Sequence, residues 1–538
     1  MDKTALKNIL GEIPFTAEAY WRLRQPGKSL NKRFTLEQLD AGMPAWRDQA
    51  APFAQTAPPG KNVLIFSTLH YWISHAALMS LALAGLGHKV TLAHLPYGKW
   101  QKGLNRFDLR RQNLYAQGVL GKAAPLVQAL SLLDQKTDGS VLPPDLKAAV
   151  EAISLRDTQY TMQVEDVDHD SDLYHLRLQR NTQAARAALA LLQSHRPDVV
   201  VIPNGSILEF GIVYQVAQHL KRRSRNFPVV TYEFGEQRQR IWLARDAEVM
   251  RQQTDDLWRA RGGRKLEPGQ LKQVQALTSA RQGASLWQNF ARRWQGVPSA
   301  GGERVAAELG LDSRPVVLLA TNVIGDSLTL GRQVFSDSMT EWLQRTVLYF
   351  AARPHIQLVV RIHPGELITK GPSVADVAAR AVPDLPENIH LVPASASLNT
   401  YDLVEIADLG LVYTTTVGLE MAMSGVPAIV IGQTHYRGKG FTLDPQTWEG
   451  YFSLLDEAIQ DPENYRLAEH QVERAWEYAY RFFFEYPHPF PWHLVHLWDD
   501  IKDWPVSRVL EPQGIGKFGR TLAYLTGEPV DWNTFTTG

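Results

Sequence analysis

The chain has 538 residues, 56 of them basic and 56 acidic, so its formal charge is zero. No long run of one sign occurs, which argues against a nucleic-acid-binding surface, because neutralising a phosphate backbone takes concentrated Lys and Arg. With no cysteine in the chain, disulfides, thiolate metal sites and cysteine nucleophiles are excluded.

The length exceeds one ordinary hydrophobic core, so two domains with appendages are expected. The start, Met1-Asp2-Lys3-Thr4, lacks the charged-then-apolar pattern of a signal peptide, and no apolar run approaches the roughly 18 residues of a membrane span. The expectation is a soluble, cytoplasmic protein with no transmembrane segment, at most peripheral at the inner membrane. Fifteen Trp fit a well-packed globule and could also serve carbohydrate stacking.

Residues 1–60 are polar and mixed and end in a Pro- and Gly-rich stretch, which reads as a leader segment and linker. From Asn62 the pattern becomes strand (Asn62 to Ser67), helix (Ser74 to Ala84), strand (Lys89 to Leu95), one complete βαβ unit. A mostly helical insertion is expected over about 106–194, with a solvated acidic loop from Glu165 to Asp172. Strands return at Asp198 to Ile202 and Pro228 to Tyr232, around a helix from Ile207 to Lys221. This first Rossmann-like domain is assigned residues 61–297. Alternation restarts with strands at Val316 to Ala320, Gln357 to Arg361, His390 to Val392, Leu409 to Val412 and Pro427 to Ile431. The second domain is assigned 298–480, and 481–538 is read as a helical, aromatic-rich tail. The fold class expected is α/β, two Rossmann-like domains with parallel sheets facing each other across a cleft.

Two segments of the second domain carry the strongest chemical signal. Arg361-Ile362-His363-Pro364-Gly365-Glu366 follows a buried strand, so His363 is expected at the carboxyl edge, which faces the ligand crevice of an open sheet. Thr414-Thr415-Thr416-Val417-Gly418-Leu419-Glu420 places hydroxyls and a glycine where a helix opens, as an anion site needs. Bland readings stand beside these: a histidine bonding backbone at a strand end, and threonines acting as N-caps.

Together with Thr321-Asn322-Val323-Ile324-Gly325-Asp326-Ser327 and Tyr436-Arg437-Gly438-Lys439-Gly440-Phe441-Thr442, these segments resemble, in order and spacing, the C-terminal domain of GT-B glycosyltransferases. More specifically, they resemble the capsular polysaccharide biosynthesis proteins related to Kdo transferases. The resemblance implies a CMP- or UDP-linked sugar donor on the second domain, transferred to a carbohydrate or lipid-linked glycan acceptor on the first. It implies no divalent ion or other cofactor, and no metal-ligand spacing was found in the sequence. It gives His363, Thr415 and Thr416 the leaving phosphate and Glu420 the ribose hydroxyls, which a carboxylate matches with two acceptors. Asp326 and Ser327 fall in the loop that approaches the donor, while Arg361, Arg437 and Lys439 are candidate charge partners. Glu366, Gly418 and Tyr436 belong to the matching motifs.

The attacking hydroxyl must lose a proton, so an inverting transferase needs a general base from a strand-end loop of the first domain. Glu233, in Thr231-Tyr232-Glu233-Phe234-Gly235, is favoured over His70 and Glu209, and His75 is expected to pack into its own helix. Other expectations on the same scaffold are a CDP-polyol phosphotransferase of teichoic-acid type, a nucleotide-sugar epimerase, and a non-catalytic nucleotide-sugar-binding subunit of capsule assembly.

Overall fold

The computed structural model describes residues 3–24, 34–137, 139, 141–223, 226–288, 290 and 295–534. Two sheets organise it. The first contains β1 (Asn62–Thr68), β2 (Lys89–Leu95), β3 (Val127–Ser131), β4 (Val199–Pro203), β5 (Val229–Glu233) and β6 (Arg240–Arg245), and the second β7 (Val316–Ala320), β8 (Gln357–Arg361), β9 (Ile389–Val392), β10 (Leu409–Val412) and β11 (Ala428–Val430). A two-residue strand near the carboxyl terminus, β12 (His488–Pro489), joins the first sheet beside β6. The orders are β12-β6-β5-β4-β1-β2-β3 and β11-β10-β7-β8-β9.

Each sheet holds five parallel strands in the same relative order, with its first strand between its second and fourth. The order therefore reverses beside β1 in one sheet and beside β7 in the other. Such reversals splay the following loops apart and open a crevice at the carboxyl edge.

The second sheet is apolar on both faces. Val316, Leu318 and Ala320 of β7 point into one core and Val317 and Leu319 into another, which is the two-residue side-chain period of a strand read on both sides. This is why its strands read as unbroken apolar runs.

Four stretches differ from expectation. β3 lies inside the region read as a helical insertion and pairs with β2, so that region completes the parallel sheet. β6 was missed because Arg240 and Arg245 frame it and leave only four residues of apolar run between them. The leader is largely helical: the helix Glu37–Thr56 buries Leu39, Met43 and Ala50 against the first core. Residues 25–33 of that leader lie outside the described residues. The helices Asp255–Arg261 and Pro268–Gln282, assigned by alternation to the first domain, place Leu257, Val274 and Leu277 in a core of the second sheet.

The tail folds back on the first sheet, where Phe490, Trp492, Phe518 and Leu522 are fully buried. Burying each such side chain contributes roughly 1.5–3 kcal/mol, so this segment is part of the first body. The nearly all-buried helix His70–Gly85 ends on a glycine, and a Cβ there would stand 2.4 Å from the Leu510 side chain of the tail.

The two bodies are also tied directly. Glu165 sits in the acidic stretch read as a solvated loop, yet its carboxylate accepts the Met339 and Thr340 amides, both at 2.8 Å, at the start of the helix Met339–Ala351. A negative side chain there satisfies two otherwise unpaired N–H groups and fixes the loop to the second body.

Candidate active site

A cleft of about 570 Å³ lies between the bodies. Its floor comes from loops after β7, β8, β10 and β11, with Thr321 and Asn322, His363, Thr414 to Thr416, and Gln433 to His435 respectively. The facing wall carries Trp242 of β6 and Glu236, Arg251 and Gln252 from the segments around it.

Local bonds explain how the floor is held. Thr321 Oγ1 accepts the His363 amide at 3.1 Å and donates to the Arg361 carbonyl at 3.2 Å, stapling the ends of β7 and β8. Asn322 Oδ1 accepts the Thr414 amide at 3.1 Å, and Thr414 Oγ1 donates to Leu328 at 2.9 Å, so the β7 and β10 loops are joined across the reversal point.

His363 is exposed and caps a short 3₁₀ turn, with Nδ1 accepting the Gly365 amide at 2.9 Å. A neutral imidazole whose Nδ1 accepts carries its proton on Nε2, so His363 presents a donor. Thr415 and Thr416 line the same cleft. The helix they precede, Val417–Met423, has only 7 residues, so hydroxyls and imidazole rather than a helix field dominate here. Arg361 also lines the cleft but is buried, donating to Pro393 at 2.8 Å, and its Nε has no partner among the described residues.

Glu420 reaches the cleft from one turn into that helix, already ion-paired with Arg281 of the helix Pro268–Gln282. Burial raises its pKa, and Arg281 and Tyr401 oppose the rise. Asp326 lines the cleft too, its carboxylate accepting the Ser327 amide at 2.6 Å; burial raises its pKa.

Ser327 faces the other way. It lines a second cavity, of about 270 Å³, at the reversal point of the first sheet, with Leu69 and Tyr71 after β1, Asn204 after β4 and Glu233 at the end of β5. Trp72, Trp100, Phe210, Phe234 and Trp242 give this cavity broad aromatic walls, and Trp242 belongs to both cavities. Glu233 accepts Asn204 Nδ2 and the Phe234 amide, each at 3.0 Å, while burial pushes its pKa up to about 7. Tyr160 stands close enough to feel both Glu233 and Asp326. A carboxyl poised near neutrality in an aromatic pocket is suited to accept a proton.

Several sequence-predicted residues lie elsewhere. Glu366 turns away to accept the Val374 amide at 2.9 Å, holding the next helix. Tyr436 is fully buried and donates to the Thr415 carbonyl at 2.5 Å, so it shapes the threonine loop from behind. Gly418 makes room for it: a Cβ would stand 2.6 Å from Tyr436 Oη. Arg437 donates to the carbonyls of Val430 and Pro445, and Lys439 pairs with Asp255; both line a neighbouring cavity instead of the main cleft.

In the first body, Glu209 is buried in an ion pair with Arg177 at 2.9 Å and cannot serve as base. His70 lines neither cavity and packs edge-on between Phe34 and Tyr71. His75 is fully buried with Nε2 3.2 Å from the Trp492 carbonyl. Sequence reading missed Asn204, Tyr160, Trp242, Arg251, Arg281 and Arg332. Asn204 alone had a signal, standing two positions past the strand expected at Asp198 to Ile202.

Among the described residues no cluster of three or more His, Cys, Asp or Glu is placed to hold a metal, and no helix is long and apolar enough to cross a membrane.

Two Rossmann-like domains whose parallel sheets meet across a cleft define a GT-B-like α/β fold. No family model and no curated protein matches the chain by sequence. Among solved structures, the chain is similar to the β-Kdo 2,4 transferase KpsC of Thermosulfurimonas dismutans (16% identity, 54% of this chain and 81% of that one, TM-score 0.33). It is also similar to UDP-GlcNAc 2-epimerase of Neisseria meningitidis bound to UDP-GlcNAc (13% identity, 79% and 99%, TM-score 0.24). The wall teichoic acid polymerase TagF is a third (10% identity, 87% and 97%, TM-score 0.22).

Proposed function

We propose that the protein is an inverting glycosyltransferase that moves a sugar from a nucleotide-activated donor to a surface or capsular glycan acceptor. The observation that carries this reading is that consecutive residues, Asp326 and Ser327, line different cavities. One holds His363 and the threonine loop, the other holds Glu233. A donor phosphate on the first and an acceptor hydroxyl on the second would bring the reacting carbon to their junction.

The acceptor hydroxyl gives its proton to Glu233 as its oxygen bonds to the anomeric carbon. The bond from that carbon to the phosphate oxygen breaks, and its electron pair leaves with the nucleotide. Negative charge grows on that phosphate, where the His363 Nε2–H and the hydroxyls of Thr415 and Thr416 meet it. Donors fixed where charge develops favour the transition state over the ground state. The aromatic walls offer flat apolar faces and exclude water from the acceptor pocket.

The test is a thermal-shift panel of CMP, CDP, UDP and GDP, since a ligand that binds only the native state raises its melting temperature. It is followed by nucleotide release from the matching nucleotide sugars, with and without added glycan acceptors. Release that depends on acceptor is expected. Interconversion of the donor sugar without any acceptor would instead mark an epimerase, and binding without turnover a carrier subunit.

A further inference from the structure

A cavity of about 240 Å³ opens off the main cleft and shares Arg251, Arg332 and the Gln433 to His435 segment with it. Its charge is one-sided. Arg251, Arg332, Arg437 and Lys439 line it against a single carboxylate, Asp255, which Lys439 already pairs.

The seam between the bodies holds two of these guanidiniums in place. Arg251 Nη1 donates to the Gly331 carbonyl at 2.8 Å, and Arg332 donates back to Met250, so each is anchored by the chain beside the other. Glu248 lies 3.5 Å from Arg251 and 3.4 Å from Arg156. Two guanidiniums therefore share one carboxylate, and Arg332 stands close enough to feel all three groups. Arg332 is 5% exposed, and burial together with Arg251 and Arg156 brings its pKa down to about 10. Cations kept this close in a partly dry cavity gain much from an anion placed between them. The rest of the lining, such as Gln252, Thr254 and Thr434, is neutral and hydrogen-bonding, which suits hydroxyls around the charge.

The cavity does not include His363 or the threonine loop. The acceptor side is near at hand, since Met250, one residue before Arg251, lines the Glu233 pocket.

We propose that this cavity is a second anion subsite, taking a phosphate or carboxylate carried by a sugar- or polyol-sized part of the acceptor, apart from the wall that receives the donor's phosphate. The proposal rests on the transferase reading of the cleft and narrows its acceptor to an acidic one.

The experiment titrates the full chain, saturated with whichever nucleotide binds, with glycerol 3-phosphate and glucuronate, using glycerol and glucose as uncharged controls. Both anions should raise the melting temperature further, and the controls should not. Lys439→Gln, at a residue that lines this cavity and not the main cleft, should weaken the anions at least fivefold and leave nucleotide affinity within twofold. Arg251→Gln should weaken the anions as well, and serves as the reading should Lys439→Gln fail to fold. Competition between anion and nucleotide would assign the cavity to the donor phosphate and overturn the proposal. Equal effects of charged and neutral probes, or unchanged anion affinity in the folded variants, would also overturn it. Failure of every nucleotide to bind strikes at the transferase reading instead, and the anion titration is then read on the free protein.

Discussion

Asn204 donates its side-chain amide to the carboxylate of Glu233 at 3.0 Å, across the carboxyl ends of the neighbouring strands β4 and β5. That bond and the Phe234 amide favour the charged form, while burial opposes it and wins, leaving the carboxyl near pH 7. As a base, Glu233 must be ionised, so turnover should rise through about pH 7 and level off above it. Asn204→Ala removes a bond to the charged form and should move the midpoint upward. Glu233→Gln should lower turnover at least a hundredfold while nucleotide binding survives. A flat pH–rate profile in the parent would remove Glu233 from the mechanism.

The same shift has a sign in stability. The folded pKa lies above the ordinary value of 4.5, so the proton is held more tightly in the native state. Its contribution is therefore complete below about pH 4.5 and fades as pH rises through about 7. Glu233→Gln, which mimics the protonated form, should melt close to the parent at pH 4.5 and above it by a few degrees at pH 8. Thermal melts at the two pH values decide this.

His363 is exposed, and its side chain accepts one amide within its own turn. His363→Ala should then lower turnover at least tenfold with little change in melting temperature. Unaltered turnover would return this residue to a capping role. Steady-state kinetics paired with a thermal melt separates the outcomes.

Glu209 and Asp157 share the buried Arg177, at 2.9 and 3.0 Å, and all three side chains are almost fully buried. Breaking such a group leaves an unpaired buried charge, so Arg177→Met should cost about 3–5 kcal/mol. Glu209→Gln should lower stability and leave turnover per folded molecule unchanged. Chemical denaturation and kinetics on the folded fraction measure both.

At Gly418 the space for a Cβ is taken by Tyr436 Oη at 2.6 Å and Val412 at 2.7 Å. Gly418→Ala should cost about 1–3 kcal/mol, as overpacking does. It should also weaken nucleotide binding, because Tyr436 would have to release the Thr415 carbonyl. A lowered melting temperature with unchanged nucleotide affinity would separate packing from the site.

The parallel strands β1, β2, β4 and β5, and all five strands of the second sheet, were legible, because apolar residues between turn signals mark them, most plainly where a strand is buried on both faces. β3, β6 and β12 were not. Gln128 and Ser131 interrupt the apolar pattern of β3, β6 begins and ends in arginine, and β12 has two residues. The site divides the same way. His363 and Glu366 stand three positions apart in one motif, yet only His363 lines the cleft, since the 3₁₀ turn between them carries Glu366 round to the Val374 amide.

What the sequence determined by itself is the alternation of strand and helix and the identity of the residues that leave each strand at its carboxyl end. Those are set by apolar periodicity and turn chemistry over a few residues. Which strand ends face each other, that Asp326 and Ser327 open onto different cavities, and that Arg251 and Arg332 each hold the carbonyl of the residue before the other were decided only in the folded molecule. These contacts join segments far apart in the chain, and they depend on how two preformed sheets pack, which no local pattern encodes.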